Sequence, residues 1–238
     1  MISKLHFFQA NRIEVVVIDV GNDASCTAAA ELLKVRGVKL YALVNNAGIG
    51  LGRGGSVDVV MNTNYMGPKR VTDALVGLID PMEGRIVNTS SGAASMWLRK
   101  QDEDTKRLFS NNNLTFDELD KSVKENVAKN NAGDIGDVYG LSKAALCALT
   151  LVQAKTYSNL IVTSLNPGFI DTSMTKGFGA KNTPEQGCIS ALKCLFGPVT
   201  SGYYYGSDGL RSPLTVTRDP GTPEYQGEAN PESSKYNK

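Results

Sequence analysis

The sequence predicts an α/β fold. Its form is a Rossmann-like, doubly wound parallel sheet with helices on both faces, built by one domain over residues 1–238. Two observations carry this. Short runs rich in Val, Ile and Leu alternate with longer Ala- and Leu-rich runs of helical period, the signature of βαβ units. Small and polar residues then follow three of the strand-like runs, at the carboxyl edge where open parallel sheets bind ligands.

Glu14-Val-Val-Val-Ile-Asp-Val20 reads as a short buried strand, apolar on both faces. Ala24 to Arg36 is helical and closes on Gly37, where left-handed geometry is wanted. Tyr41 to Asn45 is the next strand. Val57 to Leu78 reads as one long helix with a kink at Gly67-Pro68, because proline removes a backbone donor. Gly84 to Ser91 returns to strand, Tyr139 to Lys155 is a helix, and Leu160 to Leu165 is a strand. Ala191 to Phe196 belongs to a further helix and Tyr203 to Tyr205 to a last strand.

Residues 98–137 break this rhythm with a polar, charged stretch. Thr115-Phe-Asp-Glu118 has capping-box spacing, and Leu119, Val123 and Val127 then recur every four residues, so the stretch is a helical insertion. Residues 217–238, rich in Pro, Gly, Glu and Ser, are expected to be an irregular or loose tail.

Composition narrows the function. With 25 Lys plus Arg against 24 Asp plus Glu, a net charge of +1 gives no sign of nucleic-acid or anionic-membrane binding. No run approaches the roughly 18 apolar residues of a membrane span. The first residues lack the apolar core and small-residue cleavage site of a secretory signal. The four cysteines show no Cys-x-x-Cys pairing and suit buried thiols in a reducing compartment. His6 is the single histidine, which leaves zinc chemistry and a Ser-His-Asp triad short of residues. A cytoplasmic enzyme without a metal is expected.

Tyr139 and Lys143 are the most informative pair, in the run Asp137-Val-Tyr-Gly-Leu-Ser-Lys. Four residues apart on a helix they share a face, where an ammonium can stabilise a phenolate and make the phenol a better acid. The spacing alone equally fits a surface pair on an amphipathic helix. Leu43-Val-Asn-Asn-Ala-Gly48 ends one strand with small residues that let a flat ligand approach the backbone, or simply forms a turn. Thr89-Ser-Ser91 ends another with hydroxyls, and Asn166-Pro-Gly-Phe-Ile-Asp-Thr172 follows a third.

In this order the pieces resemble the short-chain dehydrogenase/reductase family from about Glu14 onward, and within it the carbonyl reductases, which carry a comparable insertion between the active-site serine and tyrosine. The resemblance implies reduction of ketones, aldehydes or quinones with NADP(H). Tyr139 would protonate the carbonyl oxygen, Lys143 would lower the tyrosine pKa and hold the nicotinamide ribose, and Ser91 would orient the carbonyl. Asn64 matches the asparagine that supports a proton-relay water. Asn45, Ala47 and Gly48 would line the cofactor, Asp19 and Val20 would contact adenine, and Pro167, Gly168 and Thr172 the nicotinamide end. The insertion resembles one that covers a dimerisation face, so a monomer acting on a small-molecule carbonyl is expected. The runner-up is a non-catalytic binding or regulatory protein that keeps the scaffold.

The same resemblance exposes a gap. Family members begin with a strand, a Thr-Gly-x-x-x-Gly-x-Gly turn that reaches the pyrophosphate, a helix and a second strand. No such turn is present here. The sheet is therefore expected to be truncated on its amino-terminal side, leaving Val15 to Ile18 without neighbours. Leu5, Phe7 and Phe8 could fill only part of that space. Gly50-Leu-Gly-Arg-Gly-Gly55 satisfies G-x-G-x-x-G, but falls where the family has a mobile loop near the substrate.

Overall fold

The computed structural model describes residues 13–50, 56–129 and 135–237. His6, the apolar residues at 5, 7 and 8, and Gly52, Gly54 and Gly55 lie outside the described residues. In chain order the elements begin with α1 (Asp23–Val35), β1 (Ala42–Asn45), α2 (Val57–Met61), α3 (Gly67–Leu75), β2 (Arg85–Thr89) and α4 (Gly92–Leu98). They continue with α5 (Glu103–Phe109), α6 (Phe116–Lys129), α7 (Ile135–Thr156), β3 (Ile161–Leu165), α8 (Pro184–Phe196), β4 (Tyr204–Tyr205) and α9 (Ser233–Tyr236).

The four strands form one parallel sheet in the order β1-β2-β3-β4. Successive residues of β2 point to opposite faces, as the pleat requires. Ile86 meets Cys26 and Ala30 of α1 and Val71 and Leu75 of α3. Val87 meets Cys194 of α8. Both are fully buried, each contributing about 2 kcal/mol of apolar burial. Helices thus cover both faces, as the doubly wound reading requires.

A buried polar chain crosses the first of these faces. Asn88 donates to Thr150 at 2.9 Å and Gln153 at 2.8 Å on α7, and accepts from Asn45 on β1 at 2.8 Å. Every buried amide hydrogen used here has a partner, so the network fixes strand register against α7 without an unpaired group.

The sequence readings differ from the structure in three places. Glu14 to Val20 is not a strand. Val15 and Val17 are 73% and 88% exposed, because among the described residues no strand lies beside them to take up a ladder. The break in the long helix precedes Gly67-Pro68: a π-helical turn, Asn62–Met66, separates α2 from α3, and Pro68 then sits in the first turn of α3, where its missing N–H costs nothing. Finally, the tail is irregular but not loose. Arg218, its side chain 1% exposed, forms a two-pronged pair with Asp208 at 2.8 and 2.9 Å. Tyr236 is buried, and its hydroxyl donates to Glu228. Tyr236, edge-on to Tyr225 with ring centres 6.1 Å apart, and Arg218 pin a segment whose aliphatic content is low.

Between α4 and α7 the chain forms α5 and α6. Thr115 and Glu118 form the reciprocal cap of α6, with backbone bonds of 2.9 and 3.3 Å. Leu119 and Val123 turn into the core that α6 shares with α7.

Candidate active site

The parallel register brings the carboxyl ends of β1, β2 and β3 level, since Asn45 pairs with Asn88 and Thr89 with Leu165. The segments Asn46–Gly48, Ser90–Ser91 and Asn166–Gly168 therefore leave the sheet side by side. Alpha-helix α7 runs across them, and a glycine sets its approach. A Cβ on Gly140 would stand 2.8 Å from Trp97 Cβ and 3.2 Å from the Ala93 carbonyl oxygen, so only glycine lets α7 lie this close to α4. That contact places Tyr139 beside Ser91, which caps α4 by accepting the Ala93 N–H at 3.2 Å.

The two serines divide their work. Ser90 is buried and donates to the Lys143 carbonyl at 2.9 Å, while the Cys147 thiol donates to Ser90 at 3.1 Å. Ser91 stays half-buried at the edge, and its carbonyl accepts the Tyr204 hydroxyl at 3.0 Å. Burial pushes the Tyr139 phenol up, against a hydrogen bond with Ser91 that pulls it down.

Lys143 is 5% exposed, and burial pulls its ammonium down to about 8. The Nζ donates to the Thr89 carbonyl at 2.9 Å and lies 5.8 Å from the centre of the Tyr139 ring. The expected counter-charge beside the phenol is thus held on the strand end, and Ser91 supplies the opposing influence. A Cβ on Gly48 would stand 3.5 Å from that Nζ, so the β1 exit closes the space under the ammonium.

Asn64 belongs to the π-helical turn and is buried with its amide satisfied. It exchanges bonds of 2.9 Å with both backbone groups of Ile49 and donates to Ser142 at 3.1 Å. Ser142 in turn donates to the Tyr139 carbonyl at 2.8 Å. Asn64 therefore ties the β1 exit to the turn of α7 that bears Tyr139. Asn45 turns inward, its amide donating to Thr72 and Asn88, while Ala47 stays exposed at the edge.

Asp19 and Val20 lie in a turn before α1. The Asp19 carboxylate accepts the Gly21 N–H at 2.9 Å, and Arg70 clamps the Val20 carbonyl. Val20 shares a mostly apolar cavity of about 210 Å³ with Leu43, Asn45, Ala47 and Val71. On the other side Gly168 takes φ +89°, left-handed geometry that suits glycine, and its N–H donates to Asn166. Thr172 is exposed and its N–H donates to Thr175. Met174 closes against Gly50, so loops from β1 and β3 meet over the edge.

Gly140, Ser90, Tyr204 and Ser142 were not singled out in the sequence. Gly140 carries a readable signal, because a glycine inside a helix next to a reactive residue needs a packing reason. The others have none without the fold.

Residues present fit a flat nucleotide in part. The apolar cavity at Val20, the small residues 47–48 and the buried cation could take an adenine, a backbone and a ribose. Among the described residues no cluster suits a metal ion.

A tyrosine phenol, a buried ammonium and a serine hydroxyl gather at the carboxyl edge of a Rossmann-like sheet, an arrangement suited to an α/β oxidoreductase. Comparison with known proteins agrees. The family model for short chain dehydrogenase matches residues 2–101. The (+)-neomenthol dehydrogenase of Arabidopsis thaliana is 30% identical over 215 residues, covering 76% of this chain and 72% of that protein. Carbonyl reductase [NADPH] 1 of Bos taurus is 28% identical over 188 residues, covering 71% and 67%. The solved structure of salutaridine reductase from Papaver somniferum superposes with a TM-score of 0.68 at 24% identity, over 79% of this chain and 80% of that one. The chain belongs to the short-chain dehydrogenase/reductase family, and is of the carbonyl-reductase kind.

Proposed function

We propose that this chain reduces small-molecule carbonyl compounds (ketones, aldehydes or quinones) with NADPH as the hydride source. The observation that carries the reading is the meeting of Tyr139, Ser91 and Lys143 over Gly48 at one sheet edge. Bound nicotinamide supplies the hydride. Ser91 donates a hydrogen bond to the carbonyl oxygen and orients it, and Tyr139 delivers a proton to that oxygen. Lys143 holds the ribose and offsets the negative charge left on the phenol. Asn64 positions the β1 exit against α7 and supports the water that returns the proton. Asp19, Val20, Ala47 and Gly48 line the nucleotide, Asn45 supports them from beneath, and Pro167, Gly168 and Thr172 flank the nicotinamide.

The chain acts in the cytoplasm as a monomer. The packing of α5 and α6 on α7 supports the monomer. The second reading is a scaffold that binds a partner without nucleotide. NADPH oxidation by the purified chain with a quinone, an aldehyde and a cyclic ketone separates the two. Tyr139→Phe should lower turnover by about 10²-fold or more while keeping nucleotide binding. Equal turnover in that variant would remove Tyr139 from the mechanism, and no saturable NADPH binding would favour the second reading.

A further inference from the structure

A second cleft, of about 1100 Å³, opens on the other side of the Ser90–Ser91 turn, between α5 and the C-terminal segment. Its inner wall is Cys147 and Leu151 of α7 with Ser164 of β3, and its outer wall is Tyr203, Arg211 and Tyr225. Cys147 lies one helical turn beyond Lys143, away from Tyr139. None of the residues assigned to carbonyl reduction lines it.

The charges around it are unequal in their satisfaction. Lys106 pairs with Glu103 at 2.8 Å and Arg107 with Asp104 at 2.7 Å. Arg211 has no such partner: among the described residues no carboxylate lies within ion-pair distance of its guanidinium. The nearby Glu224 accepts the backbone N–H of Arg211, at 3.0 Å. The guanidinium lies 3.6 Å from the centre of the Tyr203 ring and 4.7 Å from that of Tyr225. Gly227 faces it at a positive φ, where a Cβ would stand 3.2 Å from Nη1. Ring contact of this kind fixes the plane of a guanidinium and leaves its edge N–H groups free to donate. A planar fork held still, charged and unpaired matches a carboxylate, and Leu151 and Leu214 in the cleft lining match a flat apolar body behind it.

We propose that this cleft is a second small-molecule site, which takes an aromatic carboxylate on the free edge of the Arg211 guanidinium, with its ring in the cleft toward Leu151. The occupant would touch Cys147 and Tyr204, the two side chains that hold the Ser90–Ser91 turn from behind. The site does not depend on the carbonyl-reductase reading, because no residue is shared.

The test is a titration of the whole chain with 2-naphthoate, followed by the ligand's own fluorescence, with neutral 2-naphthamide as its twin. Saturable binding is expected, weaker by about tenfold or more for the amide and for Arg211→Gln, the loss of one charge-assisted hydrogen bond. Tyr139→Phe should leave it unchanged, and NADPH should not displace it. Should Arg211→Gln fail to fold, Leu151→Trp narrows the α7 wall of the cleft and should weaken binding. The proposal is overturned by absence of saturable binding, by equal affinity in Arg211→Gln or Leu151→Trp, or by loss of binding in Tyr139→Phe, which would place the acid at the catalytic edge.

Discussion

Replacing Lys143 by methionine removes a cation from an interior site while nearly keeping its volume. A fall from 10.5 to about 8 means that folding disfavours the ammonium relative to the neutral amine by about 3 kcal/mol, compared with the unfolded chain. The cause is burial, since the side chain is 5% exposed. Below about 8 the ammonium is present in both folded and unfolded chains, and the folded state bears the whole penalty. Between about 8 and 10.5 the unfolded chain binds the proton and the folded chain does not, so stability rises with pH. Above 10.5 both are neutral and the penalty is gone. Methionine carries no such penalty. Its loss of the bond to the Thr89 carbonyl costs about 1 kcal/mol, a nearly constant offset. Lys143→Met should therefore compare best with the parent at neutral pH, and that relative advantage should shrink by about 2 kcal/mol toward pH ~9.5. Urea unfolding at a series of pH values, followed by circular dichroism, measures both curves. Tyrosines and thiols away from Lys143 titrate in both proteins and cancel in the difference, and the Cys147 thiol, pushed up to about 11 by burial, stays protonated in the folded chain over this range. Parallel curves would refute the reasoning, because they would mean that Lys143 keeps a solvated pKa.

Two further outcomes test the packing that holds the site. Gly140→Ala forces a Cβ against Trp97 and Ala93, and should cost about 1–3 kcal/mol with a shift in Trp97 fluorescence; an unchanged urea midpoint would mean that α7 and α4 can part freely. Arg218→Ala strips the Asp208 carboxylate of its buried partner and should cost about 3–5 kcal/mol. Limited trypsin digestion should then cut the C-terminal segment first, and resistance equal to the parent's would show that the tyrosines alone hold it.

Much of the fold was legible in order. The apolar runs at residues 42–45, 85–89 and 161–165 are strands because each has a neighbour, and the cap at Thr115–Glu118 starts α6 because its bonds are local. The run at Val15 to Ile18 has the same composition and is not a strand. Strand formation needs a partner, and a sequence window does not contain one. The π-helical turn at Asn62–Met66 escaped for a similar reason: its Asn64 bonds to Ile49 and Ser142, both remote in sequence.

The amino-acid order by itself determined which residues could do chemistry, through helical spacing at Tyr139 and Lys143 and through hydroxyls at a strand end. Residue chemistry alone does not separate Ser90 from Ser91, and it is the family resemblance that points to Ser91. One points into α7 and the other to the edge, and the pleat decides which. Nor could it place the Lys143 ammonium on the Thr89 carbonyl, or leave Arg211 unpaired between two tyrosines. Those arrangements join residues far apart in the chain, so only tertiary packing, with its distances and its exclusion of water, could set them.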